Sequence, residues 1–96
     1  MDYTNEAIER ITEKRETMQF NSVLEWANQL KADRYPTQGE LCEIHEDKAN
    51  GMYAVKINGL NYLCEFFKVL DRVGERCKVR NIKRISDYSL AVLMEY

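Results

Sequence analysis

The sequence predicts one α+β domain over residues 1–96, in which N-terminal helices and one central amphipathic helix pack on a small antiparallel sheet in the order α-α-β-β-α-β-β. Three observations predict this fold class. Apolar side chains recur at helical spacing in the first third of the chain and again over residues 60–73. Four other segments are rich in apolar and β-branched residues and are bounded by turn residues, as strands are. The proportions of 45% apolar and 31% charged residues are those of an ordinary globular domain.

Two consecutive stretches predict the N-terminal helices. The apolar side chains of the first stretch are Ala7, Ile8, Ile11 and Met18. The apolar stripe that follows is Phe20, Val23, Leu24, Ala27 and Leu30. On one continuous helix this stripe would lie on a different face from the apolar residues of the first stretch, so a straight helix would have to bury two faces. We therefore predict a break near residues 19–21 and a second helix to about Ala32, which a capping box of Ser22 and Glu25 begins. The alternative is a single long helix with Trp26 turned toward a partner.

The region 38–49 is open to two interpretations. A capping-box match of Thr37 and Glu40 at its start favours a third helix. An Asn-Gly turn and the strand-like residues 52–57 favour a β-hairpin instead. We choose the hairpin, because Tyr53, Val55 and Ile57 alternate with polar or small residues as in a half-buried strand.

Residues 60–73 (LNYLCEFFKVLDRV) predict a helix that forms much of the core. Its apolar arc is Tyr62, Leu63, Phe66, Phe67, Val69, Leu70 and Val73. Its polar arc is Asn61, Glu65, Lys68, Asp71 and Arg72. Gly74 is the expected stop, since glycine accepts the left-handed conformation at a helix C-terminus. Asn58 or Asn61 is the expected N-cap.

The C-terminal segment predicts a second hairpin. Residues 77–85 (CKVRNIKRI) and 90–96 (LAVLMEY) are strand-like, and the polar residues 86–89 form the turn between them. The second strand is apolar at nearly every position. This pattern is typical of a strand that is covered on both faces or lies in the middle of a sheet.

Charge is unevenly distributed along the chain. The net charge is −2, but residues 1–47 carry eleven acidic against five basic residues, and residues 48–96 carry nine basic against five acidic residues. Two such halves can pair within one fold, or one copy can dock head to tail on another.

We expect a cytoplasmic protein with no membrane partner. The first residues lack the basic and then apolar pattern of a secretion signal, and no apolar run approaches the roughly 18 residues of a membrane span. The three cysteines, Cys42, Cys64 and Cys77, form neither an even set nor a C-x-x-C motif. Reduced thiols are therefore expected.

No catalytic signature is present in the sequence. His45 is the single histidine, with Cys42 three residues before it and Glu43, Glu46 and Asp47 around it. A Cys–His pair needs an orienting group and an oxyanion site, and a zinc site needs about four ligands. The usual nucleotide-binding and hydrolase motifs do not occur. We expect a protein that is not an enzyme and binds no metal or cofactor.

A run of basic residues predicts an alternative function, the binding of nucleic acid. If residues 77–85 form a regular strand, one face of it carries Arg76, Lys78, Arg80 and Arg84. Such a stripe can neutralise phosphates. The overall acidity, with a pI near 5.4, weakens this interpretation because dedicated nucleic-acid binders are usually basic.

Aromatic residues predict a protein-binding function, which we prefer. The candidate contact residues are Trp26, Phe20, Tyr88 and Tyr96. A small chain without a catalytic signature is expected to act by contact, for example as an accessory or inhibitor protein of the sort that phages and mobile elements encode.

Self-association is also expected, most simply as a two-fold homodimer. The charge halves are complementary, and the N-terminal helices carry two apolar faces. The last strand, residues 90–96, would be an exposed apolar edge if it were left unpaired.

Overall fold

The computed structural model describes residues 5–33 and 40–96, apart from the side chains of residues 5, 7, 8 and 75. It confirms the predicted α+β fold and the order of its elements. The elements are α1 (Asn5–Thr17), α2 (Val23–Ala32), β1 (Leu41–Asp47), β2 (Met52–Asn58), α3 (Leu60–Val73), β3 (Lys78–Ser86) and β4 (Ser89–Glu95). None of these helices is long and apolar enough to cross a membrane.

The break between the N-terminal helices is confirmed, so the single long helix is wrong. Ser22 is the N-cap of α2, and its hydroxyl accepts a hydrogen bond from the backbone N–H of Glu25 (3.2 Å). The Glu25 carboxylate accepts in turn from the backbone N–H of Asn21. This exchange satisfies backbone donors that a helix start leaves open.

The sheet has the strand order β1-β2-β4-β3, with every neighbouring pair antiparallel. The β1–β2 hairpin is confirmed, and the helix considered for residues 38–49 is wrong over its described part. The hairpin loop closes through Gly51, whose φ of 67° favours glycine. β4 lies between β2 and β3, as its apolar sequence predicted. It is paired on both sides, so it is not an exposed apolar edge and gives no support to the expected dimer.

The face of the sheet that α2 and α3 cover, the inner face, forms the core with them. Its buried side chains include Tyr53, Val55 and Ile57 of β2 and Val92 and Met94 of β4. α2 packs on β1 and α3 packs on β2. The helices therefore cover the half of the inner face that lies toward β1. β3, at the opposite edge of the sheet, contributes no side chain to the core.

α3 spans the predicted residues and ends at Gly74, whose N–H donates to the carbonyl of Leu70. Its N-cap is Gly59, without a side-chain cap, so the expectation of Asn58 or Asn61 is wrong. Two further residues differ from the prediction. Glu65, expected on the polar arc, is only 5% exposed, and Phe67, expected in the core, is 50% exposed.

Candidate partner-binding surface

β3 is an edge strand that nothing in the described chain covers. All nine of its residues are exposed on both faces of the sheet. It pairs with β4 on one side only, so its other side presents a row of open backbone groups. This edge is the candidate partner-binding surface.

Two backbone hydrogen bonds show which β3 groups are open. The N–H of Gly59 donates to Tyr88 O (2.8 Å), and the N–H of Tyr96 donates to Gly51 O (3.1 Å). Along an antiparallel ladder, residue pairs that exchange hydrogen bonds alternate with pairs that do not. Counting from these two bonds, the β2–β4 pairs that exchange hydrogen bonds are those on the inner face. The outer-face residues of β4 therefore direct their N–H and C=O groups to β3. The inner-face residues of β3, which direct their N–H and C=O groups away from the sheet, are Val79, Ile82 and Arg84.

The basic residues of β3 do not share one face, so the predicted stripe is wrong in its geometry. Lys78 lies opposite Glu95 of β4, whereas Arg84 lies opposite Leu90. Positions 90 and 95 of a regular strand point to opposite faces, and β4 keeps a regular register with β2. The cause is a bulge after Val79, which adds one residue to β3 and reverses the alternation beyond it.

Three arginines of the predicted stripe have partners within the chain. Arg76 Nε donates to Val73 O (3.4 Å), an Arg80 nitrogen lies 3.6 Å from a carboxylate oxygen of Glu95, and Arg84 pairs with Asp87. Arg76 also lies outside β3, in a short 3₁₀ turn. Lys78 and Lys83 form no ion pair with any described residue, so they are the charges most available to a ligand.

Apolar side chains accompany these charges. Val79, Ile82 and Ile85 of β3 are all exposed, Ile82 by 44%. Val79 and Ile82 lie on the inner face, opposite the buried Met94 and Val92, but beyond the part that the helices cover. An extended chain bound at this edge would bring its own side chains beside them.

The predicted aromatic contact residues divide into buried and exposed ones. Trp26 is fully buried and Phe20 packs partly buried against the core, so Trp26 is not available to a partner. Tyr88 is 56% exposed in the β3–β4 turn. Tyr96 is exposed at the end of β4; its ring centroid lies 5.0 Å from that of Tyr53, and its hydroxyl donates to Glu46. Tyr88 lies in the turn that follows β3, whereas Tyr96 directly follows β4.

Cys42 and His45 are not placed for joint chemistry. Cys42 lies on the inner face of β1 opposite Ile57, and His45 lies on the outer face opposite Ala54. Burial raises the pKa of the Cys42 thiol to about 11, so it is protonated at neutral pH. In the described ranges, no three His, Cys, Asp or Glu side chains lie close enough to hold a metal ion.

A buried ionic cluster that was not predicted from the sequence joins the three helices. Arg15 of α1 donates through Nε and Nη2 to the two carboxylate oxygens of Glu65 in α3 (2.7 and 3.1 Å), and Nη1 lies 3.3 Å from Asp33. The Trp26 ring N–H donates to the same Glu65 carboxylate (3.1 Å). Burial lowers the pKa of Arg15, but its hydrogen bonds and charge interactions with Glu65 and Asp33 outweigh burial and raise it.

This helical clamp (Arg15, Trp26, Asp33 and Glu65) is satisfied within the chain. Its guanidinium, carboxylates and indole N–H already bind one another, so it offers no open group to a substrate. We interpret it as a structural element. The sequence carries no clear signal of it, because helical periodicity places Glu65 on the polar arc of residues 60–73.

No family model, curated protein or solved structure matches this chain.

Proposed function

We propose that this chain is a small non-enzymatic protein-binding module, an accessory or inhibitor protein that acts by contact at the β3 edge. One observation carries the proposal: a nine-residue edge strand with every residue exposed and one backbone side open. Proteins commonly protect such edges by making them short, by covering them, or by placing charges and bulges in them. β3 has charges and a bulge, but it is neither short nor covered by any described residue. A long open edge is a template for another strand.

The binding mode that fits this edge is β-strand addition. The open N–H and C=O groups of Val79, Ile82 and Arg84 would bond to an extended segment of the partner, and these bonds supply affinity without sequence preference. Selectivity comes from the side chains. Lys78 and Lys83, which lack ion-pair partners among the described residues, favour a segment with acidic residues.

The free thiols support the cytoplasmic location that we propose for this module. Cys42, Cys64 and Cys77 are all free. Proteins of oxidising compartments usually pair their cysteines, whereas reducing compartments keep them as thiols.

Nucleic-acid binding is the second candidate. Exposed Lys78, Arg80 and Lys83 with the neighbouring Tyr88 provide charge and one stacking surface. The bulge weakens this candidate, because it divides the basic residues between two faces. The net charge of −2 weakens it further.

A matched pair of variants at one position tests the proposed function. Ile82→Pro removes an N–H that points away from the sheet, so it costs no bond to β4 but blocks strand addition. Ile82→Ala keeps this N–H and loses only the side chain. We expect a protein captured from a cell extract by the wild type to be retained by the Ala variant and lost by the Pro variant, as read by mass spectrometry.

Circular dichroism of each variant confirms that it is folded before the capture is compared. Retention of the same captured proteins by all three chains would contradict binding at the β3 edge. Nuclease treatment separates the second candidate, because material that is held through nucleic acid would be released by it.

A further inference from the structure

Within the described ranges β1 and β3 are the two edge strands of the sheet, and they carry opposite charges. The β1 edge carries Glu43, Glu46 and Asp47, whereas the β3 edge carries Lys78, Arg80, Lys83 and Arg84. We infer that β1 of one copy docks on β3 of the next, so that the sheet continues from molecule to molecule. This inference rests on the proposed function, because it names the partner strand at the same edge.

The strand directions permit this docking without rotation of either copy. Each neighbouring pair in the order β1-β2-β4-β3 is antiparallel, so β1 and β3 run in opposite directions. A second copy that is simply translated across the sheet therefore places its β1 antiparallel to the first copy's β3. The helices of both copies then lie on the same face.

The open backbone groups of the two edges also match. Inner-face residues of β2 bond to β4, so the outer-face residues of β2 bond to β1. The β1 residues whose N–H and C=O groups point away from the sheet are thus Cys42, Ile44 and Glu46. They lie on the inner face, as the outward-bonding residues of β3 do. When β1 and β3 pair, residues that can exchange hydrogen bonds therefore lie opposite one another, and the inner faces of the two sheets are continuous.

One register pairs the two lysines that lack ion pairs among the described residues with two acidic residues of β1, of which Glu43 lies 3.6 Å from His45 and Asp47 accepts a hydrogen bond from Asn50. Lys78 and Lys83 lie opposite Glu95 and Ala91, four ladder steps apart, because the bulge takes up one residue. Glu43 and Asp47 are likewise four steps apart on β1. In antiparallel alignment Asp47 then faces Lys78, Glu43 faces Lys83, and Ile44 faces Ile82. A shift by two residues loses both charge pairs.

The other inner-face pairs of this register are mixed. They are Glu46 with Val79 and Cys42 with Arg84. The register is therefore decided by two charge pairs and one isoleucine pair, each of which is a favourable cross-strand contact.

The second copy would also cover apolar surface that its own chain leaves exposed. α2 packs on the inner face of β1. In the continued sheet it lies at the junction, beside the exposed Val79 and Ile82 of the first copy. Removal of these side chains from water would add to the strand pairing.

A two-fold dimer through either edge is disfavoured by charge. It would place β3 against β3, with basic residues on both sides, or β1 against β1, with acidic residues on both sides. Docking of β1 on β3 is heterologous instead, so it continues to larger assemblies unless a ring closes.

A charge-swap experiment tests this inference. One variant, Lys78→Glu/Lys83→Glu, has two acidic edges, and the other, Glu43→Lys/Asp47→Lys, has two basic edges. We expect each alone to associate at least about tenfold more weakly than the wild type, and an equal mixture of the two to associate again. Glu9→Lys/Glu13→Lys, which makes the same charge change as the second variant but on α1, is the control and should associate like the wild type.

Sedimentation and light scattering over a concentration series give the readout. The wild type should rise from the monomer mass of 11.4 kDa to masses beyond the dimer at low salt, and fall back as salt screens the charge pairs. A wild type that is monomeric at every concentration, that stops at a dimer, or that is unaffected by the swaps overturns the inference.

The two proposals fail separately. A monomeric wild type that still loses a captured protein on Ile82→Pro would overturn self-docking and leave the β3 edge as a binding surface. A wild type that neither self-associates nor depends on Ile82 for capture would overturn both.

Discussion

The helical clamp and β3 use charge in opposite ways. In the clamp, Arg15 and Glu65 are each about 5% exposed and satisfy one another. On β3, Lys78 and Lys83 are exposed and pair with no described residue. A buried charge needs a partner within the fold, and in the clamp this pairing joins the helices. A charge on an exposed edge is stabilised by water without a partner in the chain, so it is available to bind another molecule.

The same contrast separates two neighbouring strands. β4 carries the fully buried Val92 and Met94, whereas every residue of β3 is exposed. The helices stop covering the sheet between these two strands. We therefore expect stability to reside in the clamp, α3 and the three inner strands, and binding to reside in β3.

Two adjacent phenylalanines give the largest contrast. Phe66 is fully buried, and Phe67 next to it is half exposed. Phe66→Ala should lower the free energy of unfolding by about 3–5 kcal/mol, because it leaves a cavity in the core. Phe67→Ala should cost less than about 1.5 kcal/mol, in proportion to its burial. Urea denaturation of the two variants measures both values, and equal losses would contradict the placement of α3.

The clamp gives the next contrast. Glu65→Ala should destabilise the protein by about 3–5 kcal/mol, because it leaves the Arg15 charge buried without its main partner. Lys68→Ala breaks only an exposed pair with Glu16 and should cost under about 0.5 kcal/mol.

A double variant separates loss of the partner from loss of packing. Arg15→Met/Glu65→Leu removes both charges and should be more stable than Glu65→Ala in the same denaturation. If the double variant is the less stable of the two, the unpaired Arg15 charge is not the cause of the loss in Glu65→Ala, and this explanation of the clamp is wrong.

The sequence predicted correctly those features that depend on a single helix or strand. The change of apolar face together with Ser22 and Glu25 located the helix break, and the apolar run of residues 90–96 indicated a central strand. Both signals are local, since capping and strand burial depend on residues close together in the chain.

The errors lie where two distant elements meet. Glu65 takes its environment from Arg15, fifty residues earlier. Phe67 lies on the apolar arc of α3, but the arc is wider than the surface that the sheet offers it. Helical periodicity predicts the direction in which a side chain points, but it does not predict which residues of other elements pack against that side chain.

The candidate surface was found only in part. The basic residues of β3 and Tyr88 were named from the sequence, and both are exposed. Their arrangement was missed, because nothing in the residues around Val79 signals the bulge that reverses the alternation. Trp26 was assigned to a partner because aromatic residues concentrate in interfaces as well as in cores.

Amide hydrogen exchange in dilute and concentrated protein tests the docking of β1 on β3, since it reports on these edges residue by residue. This docking predicts slower exchange in the concentrated sample at the outward N–H groups of β3 and β1, which belong to Val79, Ile82, Arg84, Cys42, Ile44 and Glu46. The N–H groups of Lys83 and Leu93, on the ladder between β3 and β4, should be unchanged. Unchanged exchange at Ile82 and Ile44, or slowing confined to the helices, would contradict it.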